Sequence, residues 1–331
     1  MRVYRPRSGR LAQREEPTPE PRRGEVLVRV RAVSLNYRDL LILDGDHFAA
    51  GAGGGALIPV SDAAGEVVAV GEGVTRFAGG ERVINAFHPD WIAGRMPDTM
   101  AGYGNGRDGW LAEYRAVPEQ ALVALPDSLT FEQGATLPCA AVTAWTSLDG
   151  VRPGDVVLTL GTGGVSLFAV QLAKARGARV VATTSSAAKA AELTGLGADT
   201  VIDYVATLEW GKAVLDATGG RGADRIVEVG GPGTFAQSLV AAGTHHAEIA
   251  LVGFVGRSGS PVDFMELFRS GATVRKIWVG SREDTEDLLR WLDVWPIEPV
   301  IDSVHSFEDA GAAFRRFGSR ENFGKVVIAA A

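Results

Sequence analysis

The hydrophobic rhythm of the chain changes twice along its length. Over residues 25–33 apolar and polar side chains alternate (Glu25-Val26-Leu27-Val28-Arg29-Val30-Arg31-Ala32-Val33), which is the period of a half-buried β-strand. Residues 61–70, closed by Gly71-Glu72-Gly73, predict a strand and a turn, and 81–84 predict another strand. Glycine-rich connections lie at 51–55 and 102–109. Short strands joined by glycine turns predict a compact, barrel-like β domain. No helical pattern follows the 51–55 run, so it predicts a loop and not a phosphate-binding turn.

From residue 156 onward the pattern is different. Residues 156–160 are apolar throughout, as in a strand buried on both faces of a parallel sheet. Helical spacing follows over 165–176, and Gly177 closes it. The alternation then repeats: strand 179–182, helix 187–196, strands 200–203 and 225–229, helix 235–242 and strand 248–254. This spacing predicts a doubly wound parallel sheet. Past residue 284 the pattern is mixed: helix 284–294, extended 300–304, helix 307–317 and a last strand 325–329. The expected division is a β domain at 1–124, completed by 297–331, around a dinucleotide-binding domain at 125–296.

The turn between the first apolar strand and its helix reads Leu160-Gly161-Thr162-Gly163-Gly164-Val165-Ser166. A pyrophosphate placed there would meet unpaired backbone N–H groups and the positive end of the helix dipole. Gly161 permits the tight turn, Gly163 lets the backbone approach the pyrophosphate, and Ser166 is small enough for the helix to pack on the strand. Folds of this kind that bind NAD carry an acidic residue about twenty positions on, at the end of the second strand. Here that strand runs into Ala182-Thr183-Thr184-Ser185-Ser186, and Lys189 follows one helical turn later. Hydroxyls and an ammonium suit a 2′-phosphate, so NADPH is expected over NADH.

At 331 residues, two domains are expected. A net charge of −7, with Lys and Arg scattered along the chain, argues against a nucleic-acid partner. No apolar run reaches the ~18 residues of a spanning helix, so no membrane partner is expected. The start, Met1-Arg2-Val3-Tyr4-Arg5-Pro6, lacks the apolar core of a secretory signal. The single cysteine, Cys139, excludes an internal disulfide, and a reducing, cytoplasmic setting is expected.

Taken in order, several segments resemble one family: 34–39 (Ser34-Leu35-Asn36-Tyr37-Arg38-Asp39), 65–71, 109–114, 135–139, the phosphate loop, 227–231 and 322–327. The chain resembles the medium-chain dehydrogenase/reductase superfamily, in its zinc-independent, quinone-oxidoreductase-like branch, over nearly its whole length. The resemblance implies an α/β architecture: a GroES-like β-barrel catalytic domain plus a doubly wound, parallel-sheet Rossmann domain. Relatives that use zinc place a cysteine where this chain has Asn36 and a Gly-His-Glu where it has Ser61-Asp62-Ala63, and their third ligand aligns with Cys139. Four structural-zinc cysteines of those relatives fall in the segment 91–110, which here has no cysteine. No catalytic zinc is therefore expected, and His88, His245 and His246 are expected to be loop or surface residues.

The resemblance further implies that Thr143, Phe254, Val255 and Asn322 meet the nicotinamide end of the cofactor. It places Ser185, Lys189 and Tyr204 around the adenosine phosphate. Asn36 is expected to contact the nicotinamide ribose or the substrate, Tyr37 to donate to the substrate carbonyl, and Arg38 to have a lesser role beside Asp39. Such a site suits NADPH-dependent reduction of a small quinone or enone without a metal. Two alternatives stay open: a zinc-independent alcohol dehydrogenase or aldehyde reductase, and a cofactor-binding protein without turnover. The apolar segment 273–279 is expected to pair edge to edge in a homodimer. Loops 46–57 and 88–106, with Phe48, Phe87 and Trp91, are expected to shape the substrate pocket.

Overall fold

The computed structural model describes residues 1–7, 9–45, 57–98, 101–243, 246–256, 258–259 and 261–330. The glycine run 51–55, Phe48 and His245 lie outside the described residues. The chain folds as two units: Met1–Val142 with Gly280–Ala331, and Thr143–Val279. The boundaries thus fall at 142/143 and 279/280, against the expected 124/125 and 296/297. The helix Phe131–Ala135 packs on strands Glu25–Ser34 and Asp62–Val70, and the helix Arg282–Val294 packs on Leu122–Ala124, so the first unit claims both.

In the first unit the strand Glu25–Ser34 organises the sheet. Its alternating side chains are buried on one face up to Val33, as the period-2 pattern predicts. One edge pairs antiparallel with Asp62–Val70, from Val26 opposite Val70 to Ser34 opposite Asp62. The other edge is shared. Tyr114–Pro118 pairs with its first half, and Lys325–Ala329 with its last residues, Val327 facing Ser34. Beyond these lie Arg82–Asn85 with Leu122–Ala124 on one side and Ile301–Ser306 on the other. Val28, Val30, Val67, Trp110, Phe314 and Ile328 belong to the enclosed core. The register puts Ser34 opposite both Asp62 and Val327, so three distant segments converge just beyond it.

The second unit is a six-stranded parallel sheet, in the order Thr200–Asp203, Arg179–Thr184, Val156–Leu160, Arg225–Glu228, Glu248–Leu251 and Thr273–Lys276. This is the doubly wound order, in which the chain reverses direction between Val156–Leu160 and Arg225–Glu228 and opens a crevice at the strand ends. Val156–Leu160 is buried at every position, as its unbroken apolar run requires. The helices Gly164–Ala175 and Ala187–Gly195 lie within a residue of their expected bounds. The helix Phe264–Ser270 was not expected: at seven residues, its Phe264, Leu267 and Phe268 make too short a stripe to tell from a loop, and none of its residues is buried. Among the described residues no helix is long and apolar enough to cross a membrane.

Candidate active site and dinucleotide cradle

The second unit holds the expected phosphate loop at the end of Val156–Leu160. Gly161 has a left-handed backbone, φ +72, and its N–H donates to Thr183 O at 2.9 Å. Gly163 is the N-cap of the helix Gly164–Ala175, at φ −80, a conformation open to any residue. A Cβ added at Gly163 would meet no atom within 4 Å. Neither backbone strain nor packing therefore calls for glycine there, whereas close approach of a ligand does. Gly164 and Val165 open the helix, with their N–H groups at its positive end. Ser166 is buried, and its hydroxyl donates to Leu160 O at 2.7 Å, tying helix to strand in the role expected of a small third residue.

The other cofactor candidates of this unit lie at the same ends of the sheet. Arg179–Thr184 ends beside Thr200–Asp203, with Thr184 opposite Asp203. Ser185 follows the first strand and is exposed, and Lys189 sits in the first turn of the helix that Ser186 caps. Tyr204 follows the second strand, 40% exposed, with its N–H on Thr184 O at 3.0 Å. Asp203 caps its own turn, its Oδ1 accepting from Val205 N at 2.8 Å and Ala206 N at 3.3 Å. Ser185, Lys189 and Tyr204 are thus brought together. Phe254 and Val255 lie beyond Glu248–Leu251, with Val255 N on Val229 O at 3.2 Å. Thr143 is buried in the helix that runs on to Ser147, and its carbonyl accepts from Ser147 Oγ at 2.7 Å.

Glu228 shapes this edge. Its fully buried carboxylate accepts from Gly230 N at 2.8 Å, Gly231 N at 2.9 Å and Thr234 Oγ1 at 2.6 Å, and from Ser238 Oγ. The loop so held presses Gly231 against Phe254, where a Cβ would come within 2.8 Å of the Phe254 Cα. The sequence marked 227–231 as a family segment and gave Glu228 no role.

The first unit contains a buried polar cluster where Glu25–Ser34, Asp62–Val70 and Lys325–Ala329 converge. Lys325, 2% exposed, donates from Nζ to Leu35 O and to Asn36 Oδ1, each at 2.6 Å. Asn36 donates from Nδ2 to Ser61 Oγ at 3.3 Å, and Ser61 Oγ donates to Asp62 Oδ1 at 2.8 Å. The other Asp62 oxygen accepts from Cys139 N at 3.0 Å. Asp39 caps its helix by accepting from Asn36 N at 2.8 Å. Burial pushes the Asp39 carboxyl up to about 6, against the pull of Arg38. Burial likewise raises Asp62 and lowers Lys325, while the attraction between the two holds both toward their charged forms. Burial, with Asp62 nearby, raises the Cys139 thiol far above its ordinary value.

The three expected catalytic neighbours separate. Asn36 lies in the cluster, whereas the Tyr37 hydroxyl is 3.5 Å from an Arg320 nitrogen. Arg38 donates to Tyr103 O at 2.8 Å, lies over the Phe87 ring, and stands 3.8 Å from Asp39. Asn322 belongs to the first unit, where its amide donates to Gly324 O at 2.7 Å. His88 lies in a loop, as expected, but is buried there, 6% exposed, between the rings of Phe87 and Trp91. His246 is exposed. Lys325 and Asp62 carried no expected role. The signal available was a lysine opening an otherwise apolar terminal strand, and Ser61-Asp62 beside the alanines of another.

Val60 corrects the register of the Gly-His-Glu comparison. It holds a left-handed φ of 74, the conformation that a motif glycine supplies. The hydrogen bonds Gly109 N to Ile58 O at 2.6 Å and Trp110 N to Val60 O at 2.9 Å fix it there. Gly109 is needed for that approach, since a Cβ would lie 2.3 Å from Val60 O. Ser61 then stands at the histidine's place and Asp62 at the glutamate's. The positions of the three catalytic-zinc ligands become Asn36, Ser61 and Cys139: an amide, a hydroxyl and a single sulfur, beside a buried ammonium. Zinc takes thiolate, imidazole or carboxylate donors, and this set does not fit it. Among the described residues no group of three or more His, Cys, Asp or Glu is placed to hold a metal.

A Rossmann-type unit with an open glycine cradle, joined to a β unit with a buried polar site, defines the class of two-domain nucleotide-dependent oxidoreductases. Comparison with known proteins gives the family. Residues 22–127 match the alcohol dehydrogenase GroES-like domain, and residues 164–293 match the zinc-binding dehydrogenase domain. The chain is 39% identical to a zinc-type alcohol dehydrogenase-like protein of Schizosaccharomyces pombe, over 92% of this chain and 90% of the relative. It is 30% identical to the acryloyl-coenzyme A reductase of Metallosphaera sedula, over 95% of each. A solved structure from Sinorhizobium meliloti 1021, described as a candidate alcohol dehydrogenase, superposes with a TM-score of 0.92 at 38% identity, over 99% of this chain and 98% of that one. The chain belongs to the medium-chain dehydrogenase/reductase superfamily and is an oxidoreductase of that family.

Proposed function

We propose that the protein is an NADPH-dependent reductase of small conjugated carbonyl compounds, enones or quinones, working without a metal. The observation that carries this reading is the pairing of an open glycine cradle with a cluster whose central cation is an ammonium. Gly161, Gly163, Gly164 and Val165 hold the pyrophosphate. Ser185, Lys189 and Tyr204 take the 2′-phosphate, since the strand Arg179–Thr184 itself ends without the carboxylate that would prefer a ribose hydroxyl. Thr143, Phe254 and Val255 line the nicotinamide end.

When bound, the cofactor supplies a hydride to the β-carbon, the carbonyl electrons move to oxygen, and water returns the proton. The chain's own part is to orient the substrate and donate hydrogen bonds to the oxygen that gains charge, with Asn36 as the donor from the buried cluster. Tyr37, turned to Arg320, acts at the rim. A conjugated acceptor suits this equipment because its carbon is already electrophilic. The Metallosphaera sedula relative is named for reduction of such an acyl group. The alcohol dehydrogenase descriptions of the other two relatives favour a second reading, aldehyde reduction.

The same reading includes a homodimer. Thr273–Lys276 is the edge strand of the parallel sheet and its residues are largely exposed, leaving one row of backbone groups to pair with a second copy. A monomer by light scattering at micromolar concentration would remove the dimer. For the activity, NADPH oxidation is followed with a cyclic enone, a benzoquinone, an aldehyde and an alcohol. Faster turnover of the first two supports conjugate reduction, and preference for the aldehyde selects the second reading.

A further inference from the structure

Lys325 occupies a place that packing alone would give to an apolar residue. Val326, Val327 and Ile328, which follow it in the strand, are fully buried. Removing an ammonium from water costs on the order of several kcal/mol before any partner is counted. A valine or methionine there would meet the demands of the strand.

The hydrogen bonds of Lys325 suggest what it does instead. An ammonium carries donors only, so its 2.6 Å approach to Asn36 selects the oxygen of that amide. Nδ2 is therefore turned the other way, with two hydrogens to give. Ser61 Oγ, 3.3 Å away, takes the inward one, and its own proton is committed to Asp62 at 2.8 Å. Asp62, backed by the Cys139 N–H, balances the ammonium. The result is a relay from Asp62 and Lys325 to a single amide, Asn36, with its donor end fixed.

We propose that Lys325 is a positioning residue: by holding the Asn36 oxygen it locks that amide with Nδ2 as the donor to the substrate oxygen that turns negative. The inference rests on the conjugate-reduction reading above. A hydrogen-bond donor already held in place favours a developing oxyanion far more than one that must first reorient. The neutral ground-state carbonyl gains much less from it, so the effect falls on turnover and not on substrate binding.

The alternative is that Lys325 and Asp62 merely pair to hold two strands together. The double variant Asp62→Asn/Lys325→Met separates the two roles, since it removes both charges at nearly constant volume and leaves neither unpaired. It is compared with the wild type in thermal unfolding, in NADPH affinity, in enone kinetics and in the side-chain amide resonances of Asn36 in protein labelled with 15N-asparagine. The expected result is a similar Tm and NADPH affinity, with kcat lower by roughly 100-fold and KM little changed. The two Asn36 amide protons, separate in the wild type, are expected to exchange or shift in the variant. Wild-type kcat in the folded double variant would overturn the proposal. If the wild type turns over neither enone nor quinone, the reduction reading fails and the Asn36 resonances decide alone. Their collapse on losing Lys325 then keeps the positioning role, and unchanged resonances overturn it.

Discussion

The cradle of the second unit and the polar cluster of the first work by opposite means. At the cradle, the proposed function depends on what is missing: Gly161 and Gly163 face open space, leaving backbone N–H groups to meet a phosphate. In the cluster, function depends on side chains packed so tightly that Asp39 and Asp62 are fully buried and Lys325 is nearly so. A substitution at Gly163 is therefore expected to act on binding and leave stability alone, whereas one at Gly161 also strains its left-handed backbone. One in the cluster acts on stability first, because removing any partner strands a buried charge.

The sharpest way to break this contrast is Asp62→Ala. It leaves the Ser61 hydroxyl and the Cys139 N–H without their acceptor and the Lys325 ammonium without a nearby countercharge. Unfolding free energy is expected to fall by about 3 kcal/mol in chemical denaturation. A loss near zero would mean that the cluster is already wet. Gly163→Val is the mirror experiment. Its Cβ meets nothing within 4 Å, so Tm is expected to hold. NADPH affinity, by fluorescence titration, is expected to drop at least about 100-fold. Normal NADPH binding would remove the loop from the cofactor site.

Lys189→Ala sharpens the picture within the cradle. Without its charge-assisted hydrogen bond to the 2′-phosphate, NADPH is expected to bind about tenfold more weakly, with NADH unchanged, in the same titration. Equal losses for both would place Lys189 elsewhere.

The smallest effect concerns an ordinary surface pair, which sets the scale for the cluster. Arg316 grips Asp302 at 2.8 and 2.9 Å and holds its carboxyl below the usual carboxylate range, with help from Phe323 N. A depressed folded-state value means stability that is present above the ordinary value near pH 4 and lost as pH falls through the lower folded one. Asp302→Asn should therefore lower Tm by roughly 1–3 °C at neutral pH, with the gap closing in acid. A gap that persists at low pH would contradict the assignment.

Legibility in the sequence follows the same contrast. The second unit was readable where a strand is a continuous apolar run, as at Val156–Leu160, and where a helix has its own closing signal, as at Gly177. The helices Trp210–Ala217 and Phe264–Ser270 were not anticipated. Val156–Leu160 and Lys325–Ala329 match their expected bounds residue for residue. The phosphate loop was equally plain, since its residues are contiguous. The cluster was only partly legible. Asn36 stood out as a departure from the zinc relatives, but its partner Lys325 is 289 residues away. Only the sheet register, with Ser34 facing both Asp62 and Val327, joins them. The one-residue shift in the Gly-His-Glu comparison was hidden for a related reason, because a valine, Val60, holds the backbone angle that a glycine would have announced. The domain limits were blurred because the helix Arg282–Val294 looks alike whichever unit it packs on.

The reading as a whole stands on NADPH-dependent reduction of a conjugated carbonyl without a metal. Its most direct test is the rate of NADPH oxidation by a cyclic enone, measured on one preparation before and after exhaustive chelation, with bound metal quantified. The account predicts the same rate in both, at far less than one metal per chain. A rate that collapses on chelation and returns with stoichiometric zinc would contradict it.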